Sequence, residues 1–239
     1  MPPIHPYELA PGQAYDSSLE TVLLFPINEL VTIPDYLVKG QEDVSRIVGQ
    51  HLQAQGLKVE RPEAEAFRRA ARRAYDSARR KSMSLSGDNV ISEPTLSDIV
   101  PGVVEILKST VDLVVVPNMT VRNGEGIGSS LRWDGVSRKI PSTQRMRWEG
   151  SFSAASLHLE IFKADGTKVF AGYGGLDLLW GANIRASRMV LMDDRLEDEA
   201  NLREGVCVAF YPYFGEGKVC RGIPLLGNER DVGVVDKGT

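Results

Sequence analysis

The feature that most narrows what this chain can fold into is Ser151–Trp180. There Leu157, Leu159 and Ile161 alternate with His158, Glu160 and Phe162, and after Asp165-Gly166 the alternation resumes through Val169, Ala171 and Tyr173. A period of two sends one set of side chains to a core and the other to a second layer, and Asp-Gly supplies the positive φ angles of a tight turn. The stretch therefore reads as a long antiparallel hairpin. Ahead of it, Leu113, Val114, Val115 and Val116 are apolar without alternation inside the run Val111–Val121, as in a central strand covered on both faces.

The amino-terminal half supplies the covering layers. Val22–Ile27 reads as a first strand, with Pro26 at its end because proline lacks a ladder donor. Val44, Ile47, Val48 and Leu52 recur at helical spacing within Val38–Gln55, Gly56 stops that helix, and Leu57–Glu60 is a second strand. Strand, helix, strand makes a right-handed βαβ unit with parallel strands. A helix then runs from Pro62 to about Lys81, with Glu63 and Glu65 early and Arg79, Arg80 and Lys81 late, as the helix dipole favours. Its stripe Phe67, Ala71, Ala74 and Ala78 faces the sheet, while Arg68, Arg69, Arg72 and Arg73 form a solvated face or, on a functional reading, a surface for an anionic polymer or lipid headgroup. Thr95-Leu96-Ser97-Asp98 has the form of a capping box, and the helix after it kinks at Pro101 or begins there.

The expected fold is α/β (α+β): a mixed sheet with an amino-terminal βαβ unit, a long antiparallel hairpin and helices packed on the sheet. Residues 1–18 form an extended arm, 19–182 the core domain, and 183–239 an extension in which Ala186–Glu204 reads as a helix ended by Gly205, Val206–Phe210 as a last strand and Gly222–Thr239 as a tail. At 239 residues, one domain of ~150–170 residues with extensions fits the length. A net charge of −4 argues against a surface devoted to nucleic acid.

Chemical motifs are scarce. His5, His51 and His158 form no metal pairing and no G-x-S-x-G elbow occurs, so no catalytic, metal or cofactor residue is assigned, and an enzyme assembled from residues distant in sequence stays open. The segment Asn123–Ser130 alternates glycines as G-x-G-x-G and reads as a flexible hairpin loop rather than a nucleotide fingerprint. Leu131–Val136 and Gln144–Leu159 read as antiparallel strands joined by Ser137–Thr143. Asp193, Asp194, Glu197, Asp198 and Glu199 read as helix-dipole acids, with a cation site as the alternative. Cys207 and Cys220, the only cysteines, either close a disulfide in an oxidising compartment or stay as two reduced buried thiols.

The element order, Val22–Ile27, helix, Leu57-Lys58-Val59, helix, Val111–Val115 and a hairpin turning at Asp165-Gly166-Thr167, resembles the amino-terminal domain of the periplasmic Tol-system protein and the α/β domains of curli-type envelope secretion lipoproteins over roughly Leu19–Gly181. The resemblance implies a non-enzymatic scaffolding component of a bacterial secretion, export or surface-assembly machine, periplasmic and associated with the outer membrane through a signal or lipid anchor ahead of Met1. It implies envelope assembly proteins as partners, with homo-oligomerisation possible and no nucleic acid. The alternative class is a cytoplasmic α/β enzyme or nucleotide-binding protein with a site at the strand ends.

A partner surface is expected within Arg122–Trp148, where Arg122, Arg132, Arg138, Lys139, Arg145 and Arg147 face only Glu125 and Asp134. Six against two gives +4 in a chain of net −4. Arg132, Trp133, Arg138, Arg145 and Arg147 are the candidate contacts, since tryptophan and arginine dominate binding hot spots, and the turn Asp134-Gly135 is expected to leave Trp133 exposed.

Overall fold

The computed structural model describes residues 7–10, 15–16, 18–85, 93–128, 130–139, 148–183 and 188–214. In chain order the elements are β1 (Tyr7–Leu9), β2 (Thr21–Leu24), α1 (Asp35–Val38), α2 (Gln41–Ala54), β3 (Lys58–Glu60), α3 (Ala64–Leu85) and α4 (Leu96–Leu107). The second half contributes β4 (Leu113–Gly128), β5 (Ser130–Trp133), β6 (Val136–Lys139), β7 (Trp148–Lys163), β8 (Lys168–Leu178), β9 (Trp180–Asn183), β10 (Arg188–Leu191) and α5 (Glu199–Phe210).

One mixed sheet runs β1-β8-β7-β4-β2-β3, with β5 and β6 continuing from β4 and with β9 and β10 forming a separate hairpin. Its spine is the pair β4–β7, antiparallel from Leu113↔Lys163 to Gly128↔Trp148. The βαβ expectation holds: β2 pairs parallel with β3 through Val22↔Val59 and, on its other edge, parallel with β4 through Val22↔Leu113. The hairpin β7–β8 turns at Asp165-Gly166, where Asp165 Oδ1 accepts the Thr167 N–H at 2.8 Å and Gly166 takes φ +88°.

Alternation along β2 shows the layers. Val22 and Leu24 enter a core with α2 and α5, while Leu23 and Phe25 enter a second core with α3 and α4. Val44, Ile47, Val48 and Leu52 on α2 are at most 2% exposed, and Phe67 on α3 is fully buried, a side chain worth roughly 2–3 kcal/mol of transfer free energy. The Thr95–Asp98 capping box forms, and Pro101 lies inside α4 without breaking it. Proline has no N–H for the Ser97 carbonyl, and the Gly166 turn backs onto that carbonyl so closely that a Cβ there would sit 2.2 Å from it.

Several expectations about individual elements are corrected. Asn123–Gly128 is not a loop but the end of β4; Gly124 lies opposite Phe152, and a Cβ on it would meet that ring at 2.4 Å, so glycine here makes room for an aromatic on the paired strand. Leu131–Val136 is not one strand, because Asp134 (φ 37°) and Gly135 (φ 79°) turn β5 back into β6. The helix expected from Ala186 starts at Glu199, capped by Asp198 Oδ1, which accepts the N–H groups of Ala200 and Asn201 at 2.9 and 3.1 Å; Arg188–Leu191 is strand. Val206–Phe210 is the second half of α5 rather than a strand: each of its residues is buried, and a helix apolar all round suits a fully enclosed position.

Gly205 does not end that helix. A Cβ on Gly174 would meet the Gly205 carbonyl oxygen at 1.9 Å, and one on Gly205 would meet the Gly175 oxygen at 2.3 Å, so the α5 backbone rests directly on the β8 backbone along a glycine seam. Helix α5 thus belongs to the main core, which takes in Leu202, Val206, Ala209 and Phe210. From the expected arm, Tyr7–Leu9 is added to the sheet edge as β1, antiparallel to β8.

Candidate functional site

The arginine and tryptophan surface is not assembled as expected. Trp133 is 5% exposed, its Nε1 donates to the Ala155 carbonyl at 3.2 Å, and its ring meets Phe152 edge-on at 5.6 Å in a small third core with Leu131, Val136 and Leu178. The turn that suggested exposure instead folds β5–β6 back over β8, with the Gly175 N–H donating to the Asp134 carbonyl. Arg138 is turned inward as well, paired with Glu204 and donating to the Asn201 carbonyl on α5. Arg132 is exposed on β5 across from Glu125. Arg145 and Arg147 lie outside the described residues, as does Cys220; Cys207, buried on α5, is disulfide-bonded. The acids expected as dipole partners or a cation site are engaged locally: Glu197 with Lys39, Asp198 as the α5 cap, and Glu199 with Arg203 and Arg46. Among the described residues no group of three His, Cys, Asp or Glu is placed to hold a metal.

A cleft of about 930 Å³ opens elsewhere, on the α3–α4 side of the sheet where those helices leave β4 and β7 uncovered. Its floor is Asn118 on β4 and His158 and Glu160 on β7; its walls are Leu30 and Val31 after β2, Ala71 and Tyr75 on α3, and Leu96 and Ile99 on α4. The segment after β2 is fixed at two points. Asn28, at φ 60°, accepts the Met119 N–H at 2.6 Å, and Glu29 takes a two-pronged bond from Arg68, both distances 2.8 Å. Because β2 leads to β3 on one side and the chain then crosses back to β4 on the other, the cleft stands at the point where the parallel strand order reverses.

The floor follows from the pleat. Asn118 and His158 are directly opposed in the β4–β7 register, and Glu160 follows two residues along on the same face. Burial pushes the His158 imidazole down to about 4, helped by Lys168 and Arg122, so it is neutral at pH 7. Its ring stacks on Tyr173 at 4.3 Å, and the Arg122 guanidinium lies over the same tyrosine at 4.3 Å while bonding Asp134, which in turn accepts the Ser156 hydroxyl at 2.6 Å. Burial raises the Glu160 carboxyl, opposed by Lys168 at 3.7 Å. Asn118 is 8% exposed, and neither its amide nor the His158 ring nitrogens make a hydrogen bond among the described residues.

Sequence reasoning passed over Asn118 and Asn28. The available signal was a lone amide inside the Leu113–Val121 run, whose one other polar residue is Thr120, where a buried polar side chain requires a partner. No family model matches the chain, and no curated protein matches it. Among solved structures, a single-substitution variant of PelC from Paraburkholderia phytofirmans, solved as a dodecamer, is similar at a TM-score of 0.37 and 10% identity, over 87% of this chain and 98% of that one.

Proposed function

We propose that the chain is a non-enzymatic component of the bacterial cell envelope, a structural or scaffolding part of a secretion, export or surface-assembly machine. The observation that carries the reading is the disulfide at Cys207, since such bonds persist in oxidising compartments and are rare in the cytosol. The resemblance of the strand and helix order to Tol-system and curli-type envelope domains supports it, and the envelope partners belong to the same proposal. The test is fractionation of the native host, followed by alkylation without reductant and mass spectrometry. The expected result is an envelope-fraction protein with neither Cys207 nor Cys220 alkylated; cytosolic protein with both thiols alkylated would refute it. A second reading, a small-molecule-binding α/β protein of the cytoplasm, is favoured by the cleft outside the carboxyl end of β2, and the same fractionation separates the two.

A further inference from the structure

We propose that the cleft binds an acylated amino acid or the carboxyl-terminal residue of a peptide, with the carboxylate on Arg72, the amide group on Asn118 and His158, and the apolar side chain between Leu30, Leu96 and Ile99. The inference goes beyond the scaffolding reading and holds in either compartment. Three observations carry it.

The first is the unmade bonds of the floor. Asn118 is more than nine-tenths buried as a residue and lines the cleft, where its amide reaches the open space and makes no hydrogen bond among the described residues. Beside it, His158 offers one donor and one acceptor in its neutral form. A group that simultaneously donates and accepts, as a peptide amide does, completes this pair.

The second is the charge balance of the lining. Glu29 is held by Arg68 and Glu65 by Arg69 at 3.3 Å, while Glu160 shares Lys168 with Glu8, so each carboxylate of the cleft has a cation beside it other than Arg72. Arg72 lines the same cleft and forms no ion pair among the described residues. One uncommitted guanidinium is the complement of one carboxylate, which it can grip with two parallel bonds.

The third is the wall. Apolar side chains from three different elements line it, and a volume of about 930 Å³ lies toward the upper end of the roughly 300–1,000 Å³ typical of small-molecule sites. There is room for an acylated residue or for the last few residues of a peptide.

The probes are N-acetyl-L-phenylalanine, its uncharged amide N-acetyl-L-phenylalaninamide, and acetyl-dialanyl-phenylalanine with a free carboxylate, titrated calorimetrically into the full chain. The free acid should bind at about 1 mM or tighter and the amide at least about tenfold more weakly. A tripeptide tighter than the single residue points to a peptide terminus as the source, and equal affinities point to a free acylated amino acid. Arg72→Gln, an exposed substitution, should erase the discrimination between acid and amide at unchanged melting temperature. Asn118→Leu should abolish binding of all three probes while the protein stays folded. Absence of binding by every probe, equal affinity for acid and amide, or discrimination that survives Arg72→Gln would each overturn the proposal.

Discussion

Replacing Asn118 by leucine is expected to stabilise the protein, the opposite of what most substitutions at a buried strand position do. Asn118 sits at 8% exposure in the central strand with an amide that makes no hydrogen bond among the described residues. A buried polar group left unpaired costs roughly 1–3 kcal/mol relative to an apolar one of similar shape. Because the amide borders the cleft and touches water there, the low end applies, about 1 kcal/mol. For a chain of this size that corresponds to a rise in melting temperature of roughly 2–4 °C. Urea denaturation should show a higher midpoint at unchanged slope, so that the gain is assigned to stability and not to a change in the unfolded state. The neighbouring Asn28 provides the control of opposite sign. Its Oδ1 holds the Met119 N–H at 2.6 Å and its backbone is at φ 60°, which asparagine tolerates better than leucine does, and these outweigh the buried Nδ2 that has no partner among the described residues. Asn28→Leu should therefore destabilise by about 2 kcal/mol or more. If Asn118→Leu lowers the midpoint as Asn28→Leu does, the Asn118 amide is a structural bond and the cleft loses its main argument.

His51 gives a pH prediction. It is 8% exposed and stacked on Phe210 at 4.7 Å, and burial takes it from an ordinary 6.5 down to about 4. A depressed folded value means that the unfolded chain binds the proton first, so the stability contributed by neutral His51 is present above pH 6.5 and is lost as pH falls toward 4, at up to about 1.4 kcal/mol per pH unit. His51→Phe should flatten the fall of the urea midpoint across that window, and an unchanged pH profile would refute the assignment. Gly174→Ala should cost at least about 2 kcal/mol in urea denaturation, because its Cβ would meet the Gly205 oxygen at 1.9 Å; a neutral result would mean that α5 does not rest on β8 as described. Trp133→Ala should cost about 3–5 kcal/mol by the same measurement, and a loss below 1 kcal/mol would restore Trp133 to the surface.

What could be read from the sequence was what local rules decide. The spacing of Val44, Ile47, Val48 and Leu52, the Thr95–Asp98 box and the Asp165-Gly166 turn each contain their own explanation within a few residues, and each appears where expected. Val206–Phe210 was misread because five successive apolar residues fit a buried strand and a buried helix equally, and the choice is made by the glycine seam of β8, some thirty positions away. The glycines at 124, 126 and 128 look like a loop until Phe152 is placed opposite Gly124. Trp133 was assigned to the surface from the turn beside it, whereas its environment is set by where the β5–β6 hairpin folds back. The cleft could not be read locally at all, because Glu29, Arg68, Asn118 and His158 meet only through the crossover of β3 back to β4.

The floor of the cleft and the main core are two sides of one strand. Along β7, His158 and Glu160 alternate with Leu157, Leu159 and Ile161, all three with no measurable exposure, so no local opening can displace the floor without lifting the core. The wall formed by residues 29–31 is held more lightly, by Leu30 against the α3–α4 core, by the Asn28 bonds to Met119 and Pro117, by the Val31 N–H on the Asn28 carbonyl and by the Glu29–Arg68 pair. The two should therefore separate in time under native conditions. Amide protons of β7 exchange with solvent only through global unfolding, while those of the 29–31 segment exchange through small, frequent openings. A ligand would enter and leave at the pace of the wall, over a floor already in its bound arrangement.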